Sequence, residues 1–285
     1  DARAAFEAAE KLAGKPDEKA DALMGVARSE ISPSVARGKY QEAEKLEGIS
    51  REKQAEATMG VAETFAAERK PEAAREVYTR LIDDPGSSVA TRAAAMIGRG
   101  GALLKSSFIS PNNANVALKD LTDALKLEGV PDAQKADALL LIGDLYHRTG
   151  KSSSVLDQLM AVLNLSGASG DQKSKALLLA GSFYQSGKNV PKAREVWTLA
   201  ARTEGASTDS RLLAHRSIAQ TYVAERNTQL ALAELEKALA VPDLSTPDLV
   251  ELLDNVGDLN YSVRDYAAAR THYSRILVTV QVGLS

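Results

Sequence analysis

The chain of 285 residues is 44% hydrophobic but only 5% aromatic, with long Ala and Leu stretches and 9 prolines, a balance that favours closely packed helices over strands. Its 35 basic and 38 acidic side chains are interspersed and leave a net charge of -3, which argues against nucleic acid as a partner because phosphate binding needs a concentrated basic surface. No apolar run approaches the roughly 20 residues of a membrane span, and the absence of cysteine excludes disulfides, thiolate metal sites and thiol nucleophiles. The expectation is a soluble all-α protein, cytoplasmic or bacterial periplasmic, with the compartment left open. Asp1 in place of Met implies that a signal segment or a preceding domain has been removed.

The chain opens on ARAAFEAAEKL, which reads as a lone helix. In KLAGKPDEKA, Gly14 stands where a left-handed C-terminal cap is wanted and Asp17 where a side-chain N-cap is wanted; KLEGVPDAQK and NLSGASGDQK repeat this with Gly129 and Asp132, then Gly167 and Asp171. From there helices alternate in pairs. The first helix of each pair, helix A, carries a small central residue: Ala27, Ala62, Gly98, Gly143, Gly181, Ala219 and Gly257, the last four separated by 38. Helix B has its own series at Ala2, Ala43, Ala74, Ala117, Val155, Ala193, Ala231 and Ala269, also advancing by 38 from Ala117. Apolar residues recur three and four apart around these anchors, as in Leu139, Ile142, Gly143 and Tyr146.

Two copies are longer. SEISPSVARGKY adds about four residues between Ala27 and Ala43, and GGALLKSSFISPNNANV adds about seven between Gly98 and Ala117. Each contains Ile-Ser-Pro. Insertions of this kind emerge as loops that often bind, unless Phe108 and Ile109 merely cover the edge of a neighbouring pair. Most aromatics fall on three repeat positions: Phe65, Tyr146, Tyr184 and Tyr222 in helix A, Tyr40 and Tyr266 at the start of helix B, and Phe6, Tyr78, Trp197 and Tyr273 in its middle. These read as packing positions, a large ring filling the gap left by a small neighbour.

IGDLYHRTGK resembles the helix A half of a tetratricopeptide (TPR) repeat, and AREVYTRL, AREVWTLAA and AARTHYSRIL resemble its helix B half. The resemblance covers the chain as a single array, 1–285: an N-terminal half repeat, then about seven helix-turn-helix units, irregular over 1–117 and regular over 118–285. It implies a right-handed superhelical α-solenoid. The period of about 38 departs from the family's 34, the additional residues lying in the linkers between helical pairs.

Chemistry is harder to find. TGKSS, Thr149 to Ser153, has the ending of a phosphate-binding loop, but Leu145 occupies the position of its required glycine; GRGG, Gly98 to Gly101, has Leu103 where a dinucleotide fingerprint has its third glycine. His147, His215 and His272 are 68 and 57 residues apart, unlike zinc ligands. No catalytic residue, cofactor or metal is expected.

In the family resembled, the concave surface is lined by helix A residues six and three before the central anchor, then one and four after it. Those positions hold Arg92, Ala95 and Arg99; Asp137, Leu140, Asp144 and His147; Lys175, Leu178, Ser182 and Gln185; Leu213, Arg216, Gln220 and Val223; Glu251, Asp254, Asp258 and Tyr261. A peptide or protein segment of mixed charge would lie there, apolar contacts supplying affinity and charges supplying register. Leu140 and Asp144, then Leu178 and Ser182, occupy the places of the Lys and Asn with which chaperone-binding members grip a C-terminal carboxylate, so that clamp is not expected. The resemblance thus implies a noncatalytic protein-interaction scaffold. The alternatives are a structural spacer that self-associates end to end, since RILVTVQVGLS lacks a polar capping helix, and a regulatory domain of a longer polypeptide.

Overall fold

The computed structural model describes residues 2–105, 109–151 and 154–283. Among them run fifteen helices and no strand: α1 (Ala2–Leu12), α2 (Pro16–Ser29), α3 (Pro33–Glu44), α4 (Arg51–Ala67), α5 (Pro71–Asp83), α6 (Val89–Leu104), α7 (Pro111–Lys126), α8 (Asp132–Arg148), α9 (Val155–Asn164), α10 (Gly170–Ser186), α11 (Val190–Arg202), α12 (Thr208–Ala224), α13 (Thr228–Leu239), α14 (Thr246–Ser262) and α15 (Tyr266–Gly283). The even-numbered helices are the expected A helices. The chain divides into two compact units, 1–145 and 146–285. Each helix from α1 to α7 packs on its neighbour in sequence, as does each from α9 to α15, and A helices also touch the next A helix, α2 on α4 on α6 in the first unit and α10 on α12 in the second. This stacking of neighbours is the packing of an all-α solenoid.

The helix starts follow from serine. Ser50, Ser88, Ser169, Ser207 and Ser245 are the N-caps of α4, α6, α10, α12 and α14, each accepting a hydrogen bond from the backbone N–H three residues on. The acidic residues expected as caps act elsewhere. Asp17 lies inside the first turn of α2, whose N-cap Lys15 makes no side-chain bond, and its carboxylate accepts from the Ser50 N–H at 2.7 Å. Asp171 likewise accepts from the N–H and hydroxyl of Ser207 and from the Ser210 hydroxyl, at 3.1, 2.5 and 2.7 Å. Each therefore ties its own A helix to the cap of the next. Burial opposes the Asp171 charge, but these bonds and Lys175 outweigh it and hold the carboxyl well below the usual carboxylate range.

Turn geometry explains much of the period. The turn from helix A to helix B passes through a left-handed residue at Arg69, Gly150, Lys188, Arg226 and Arg264, the last four 38 apart; Gly48, Gly129, Gly205 and Asp243 do the same between pairs. Gly14 does not adopt that conformation, so the expected cap there is absent. Ile-Ser-Pro proves to be a helix start: Ser32 and Ser110 are N-caps, and Pro33 and Pro111 occupy the first helical position, where a missing N–H is harmless. The first insertion forms no binding loop, since only residues 30–32 separate α2 from α3. In the second, Ile109 is half-buried and Phe108 lies outside the described residues.

Glycines and rings interlock the helices. A methyl group on Gly25, Gly60 or Gly98 would collide with the ring of Phe6, Tyr40 or Tyr78 on the preceding helix; on Gly181 or Gly257 it would collide with Trp197 or Tyr273 on the following one. The Trp197 indole N–H also donates to the Leu178 carbonyl at 3.1 Å. A second device recurs in both units. Arg37 of α3 lies 4.3 Å from the Phe65 ring centre and pairs with Glu68, the C-cap of α4, at 3.1 Å, and Arg194 of α11 lies 3.9 Å from the Tyr222 ring centre and pairs with Glu225, the C-cap of α12, at 2.5 Å. Tyr266 departs from its expected packing role: it is exposed, with its ring edge-on to Tyr261.

These caps correct one register. Twelve residues beyond Ser50, Ser169, Ser207 and Ser245 stand Ala62, Gly181, Ala219 and Gly257, and the same count from Ser88 reaches Gly100, not Gly98. Gly100 faces α7, against Leu121 and the Ala117 carbonyl, whereas Gly98 sits under Tyr78 of α5. With Gly100 as anchor, the step from Ala62 is also 38.

Candidate functional site

In the second unit, α12 and α14 enclose a groove of about 480 Å³. Helical spacing puts Arg216, Ala219, Gln220 and Val223 on one stripe of α12, and Glu251, Asn255, Asp258, Leu259 and Ser262 on one stripe of α14; Leu235 of α13 closes the floor. The floor is apolar and the rim is charged. Arg216 lies 3.1 Å from Glu251 and 4.0 Å from Asp248, yet its Nε and Nη2 are shielded from water and make no hydrogen bond to any described residue. The Tyr273 hydroxyl donates to Asp258 at 2.6 Å, and that bond is the main reason its pKa is pushed up to about 12.

The first unit has a groove of about 460 Å³ of its own, at equivalent positions of its A helices. Its floor is a stripe of α4, Glu52, Ala55, Glu56, Met59 and Glu63, flanked by Arg28 and Tyr40 on one side and Ala90, Thr91 and Ala94 of α6 on the other. Arg28 donates to Glu56 at 2.5 Å, and Lys53 donates to the other Glu56 oxygen at 3.0 Å. Sequence reasoning began its lining at the third pair and so missed this groove. The signal was present, because Arg28, Glu56, Met59 and Glu63 stand at the same offsets from Ala27 and Ala62.

The structure brings together Arg216, Gln220, Glu251 and Asp258 of the expected lining, with Val223 half exposed beside them. Asp254 is exposed on α14 outside the groove, as is Tyr261, whose ring centre lies 5.2 Å from that of Tyr266. Lys175 is exposed and paired with Asp171 at 2.7 Å, Ser182 donates to the Leu178 carbonyl at 3.1 Å, and Gln185 is exposed. On α8, Asp137 is exposed, Asp144 and His147 are half-buried, and the His147 ring stands edge-on to Phe183 at 6.0 Å. Leu140 and Leu178 are buried in the packing and offer little surface to a partner.

The expectation for α6 fails through its register. Arg99 turns toward α7 and makes two 2.8 Å bonds to buried Asp120 and one of 2.9 Å to Thr79, while half-buried Arg92 donates to the Ser87 carbonyl at 3.3 Å. Ala95 is fully buried. Counted from Gly100, the equivalent groove position is Ala94, which does line the first unit's groove. The other two histidines have acidic neighbours: His215 Nδ1 lies 2.6 Å from Glu234, and His272 Nε2 lies 3.8 Å from Glu236. Among the described residues no group of three or more His, Asp or Glu is arranged to hold a metal ion, and no helix is long and apolar enough to cross a membrane.

No family model matches the chain, and no curated protein matches it. Among solved structures it is similar to the crystal structure of BtubC (BKLC) from P. vanneervenii, with a TM-score of 0.55 at 15% identity, over 81% of this chain and 92% of that one. At that identity the likeness is one of fold.

Proposed function

We propose that this chain is a noncatalytic, TPR-like scaffold that holds an extended or helical segment of another protein against its helix A face, its helical pairs winding as a right-handed superhelix. The observation that carries this reading is the groove between α12 and α14. Ala219, Val223, Leu235 and Leu259 supply an apolar floor, and Arg216, Glu251 and Asp258 supply a rim of both signs. Apolar contact then supplies affinity and the charges supply register. The Arg216 Nε–H, which makes no hydrogen bond to a described residue, suits a main-chain carbonyl or carboxylate of the bound segment. The fold likeness to a solved structure supports a helical array and is silent on the partner.

Selection of binders from a displayed random-peptide library tests this. Selected peptides are expected to lose binding to Val223→Arg and keep it with Leu199→Arg, an equally exposed change on helix α11, with both variants melting as the parent does. A library that yields no binders, or binders hit equally by both changes, would count against the reading.

One observation favours a second reading, a spacer that self-associates through α15. Leu277 and Val278 are 68% and 60% exposed on that helix, more open than apolar side chains of a closed core. Light scattering across a concentration series separates the two: a rising mass abolished by Val278→Asp supports self-association, and a constant monomer mass refutes it.

A further inference from the structure

We infer that the groove of the first unit is a docking site for a basic segment, taking an arginine or lysine side chain along Tyr40 and Met59 with its cationic head at Glu63. This rests on the preceding reading only in taking the helix A face as the recognition surface. The charge on the groove is lopsided. Glu56 is already neutralised by Arg28 and Lys53, whereas Glu52 and Glu63 have no ion-pair partner among the described residues. Glu63 is exposed at the groove, and the walls beside it raise its pKa against the pull of Lys105 and Arg28. An exposed carboxylate lacking a counter-ion is open to an arriving cation, and the apolar strip beside it strengthens the attraction.

Two further features match the stem and head of such a side chain. Met59 and Ala55 present a half-buried apolar strip leading past the Tyr40 ring, suited to a chain of methylenes. The side-chain oxygen of Gln134, on the opposite wall, is shielded from water and accepts no hydrogen bond, while its amide donates to the Ala90 carbonyl at 3.0 Å. An acceptor in the same groove as two carboxylates without counter-ions favours a donor-only cation over an acidic or purely apolar ligand.

The four methionines allow a direct test by methyl-labelled NMR, with Met59 in the groove and exposed Met160 on α9 of the other unit as control. The probe is a blocked pentapeptide with two arginines spaced by alanine, compared with its glutamate and leucine counterparts. The arginine peptide is expected to shift Met59 saturably without shifting Met160, and Glu63→Gln to weaken it about tenfold, as loss of one charged contact predicts. A silent Met59, equal shifts from the leucine or glutamate peptide, a matching shift at Met160, or unchanged affinity in Glu63→Gln would each overturn the proposal. Binding lost on Val223→Arg with Met59 silent would sink this inference alone. The reverse pattern would sink only the reading of the second unit's groove.

Discussion

The two units use the same interlock in opposite directions. Tyr78 and Trp197 stand at the same register of their B helices, four residues after Ala74 and Ala193, yet Tyr78 presses on the helix that follows and Trp197 on the helix that precedes. Each ring goes where a glycine lets the backbones close. In the first unit that glycine is ten residues beyond the A helix N-cap, at Gly25, Gly60 and Gly98; in the second it is twelve beyond, at Gly181 and Gly257. In α4, α10 and α14 the ring takes the flank where a Cβ is missing, whereas α6 offers a glycine to each flank, Gly98 receiving Tyr78 and Gly100 receiving Leu121.

The strongest way to break this comparison lies in the first unit, where Arg99 neutralises an Asp120 that is only 4% exposed. Arg99→Ala should cost about 3–5 kcal/mol by leaving that charge buried and alone, and Arg99→Leu with Asp120→Leu should recover much of the loss in a denaturant titration followed by circular dichroism. Next comes Gly181→Ala, which crowds the Trp197 ring and should cost about 3 kcal/mol. The chain has one tryptophan, so its fluorescence reads the second unit directly, and Gly98→Ala should cost a similar amount in the first.

A smaller effect is expected at the tie between A helices. Asp171→Asn should lose about 1–2 kcal/mol near neutral pH, since hydrogen bonds from Ser207 and Ser210 favour the charged carboxylate. Because its folded pKa is depressed, the stabilisation is present above the unfolded value of roughly 4 and fades as pH falls toward the lower folded value. The gap between parent and variant should therefore narrow on acidification; a gap independent of pH would remove the electrostatic account. Smallest of all, Lys188→Gly relieves a left-handed residue and should raise stability by about 0.5–1 kcal/mol, measured by thermal melting.

The helical pairs were legible because two series of small residues share one spacing, and the left-handed turn residues at Gly150, Lys188, Arg226 and Arg264 keep the same step. What misled was local ambiguity. GRGG offers glycines at 98, 100 and 101, and nothing in composition says that Gly98 serves Tyr78 while Gly100 serves α7. Choosing the first rotated the expected lining of α6 by two residues, so Arg92 and Arg99 were placed on the groove when one reaches a turn carbonyl and the other an ion pair beneath α7. Charge also drew attention from hydroxyls: Asp17 and Asp171 looked like the caps of α2 and α10, yet Ser169 caps α10, and the two aspartates bind Ser50 and Ser207, the caps of the next A helices. Burial of Leu140 and Leu178 depends on how neighbouring helices tilt, which a heptad-like count on one helix does not contain.

The most direct test of the helix A face as the recognition surface is photo-cross-linking from a single position. A benzophenone side chain at Val223, in the groove of the second unit, should capture a discrete partner that excess unlabelled protein competes away, while the same group at Leu199 should not. Capture from Leu199 alone, or equal capture from both, would contradict the account.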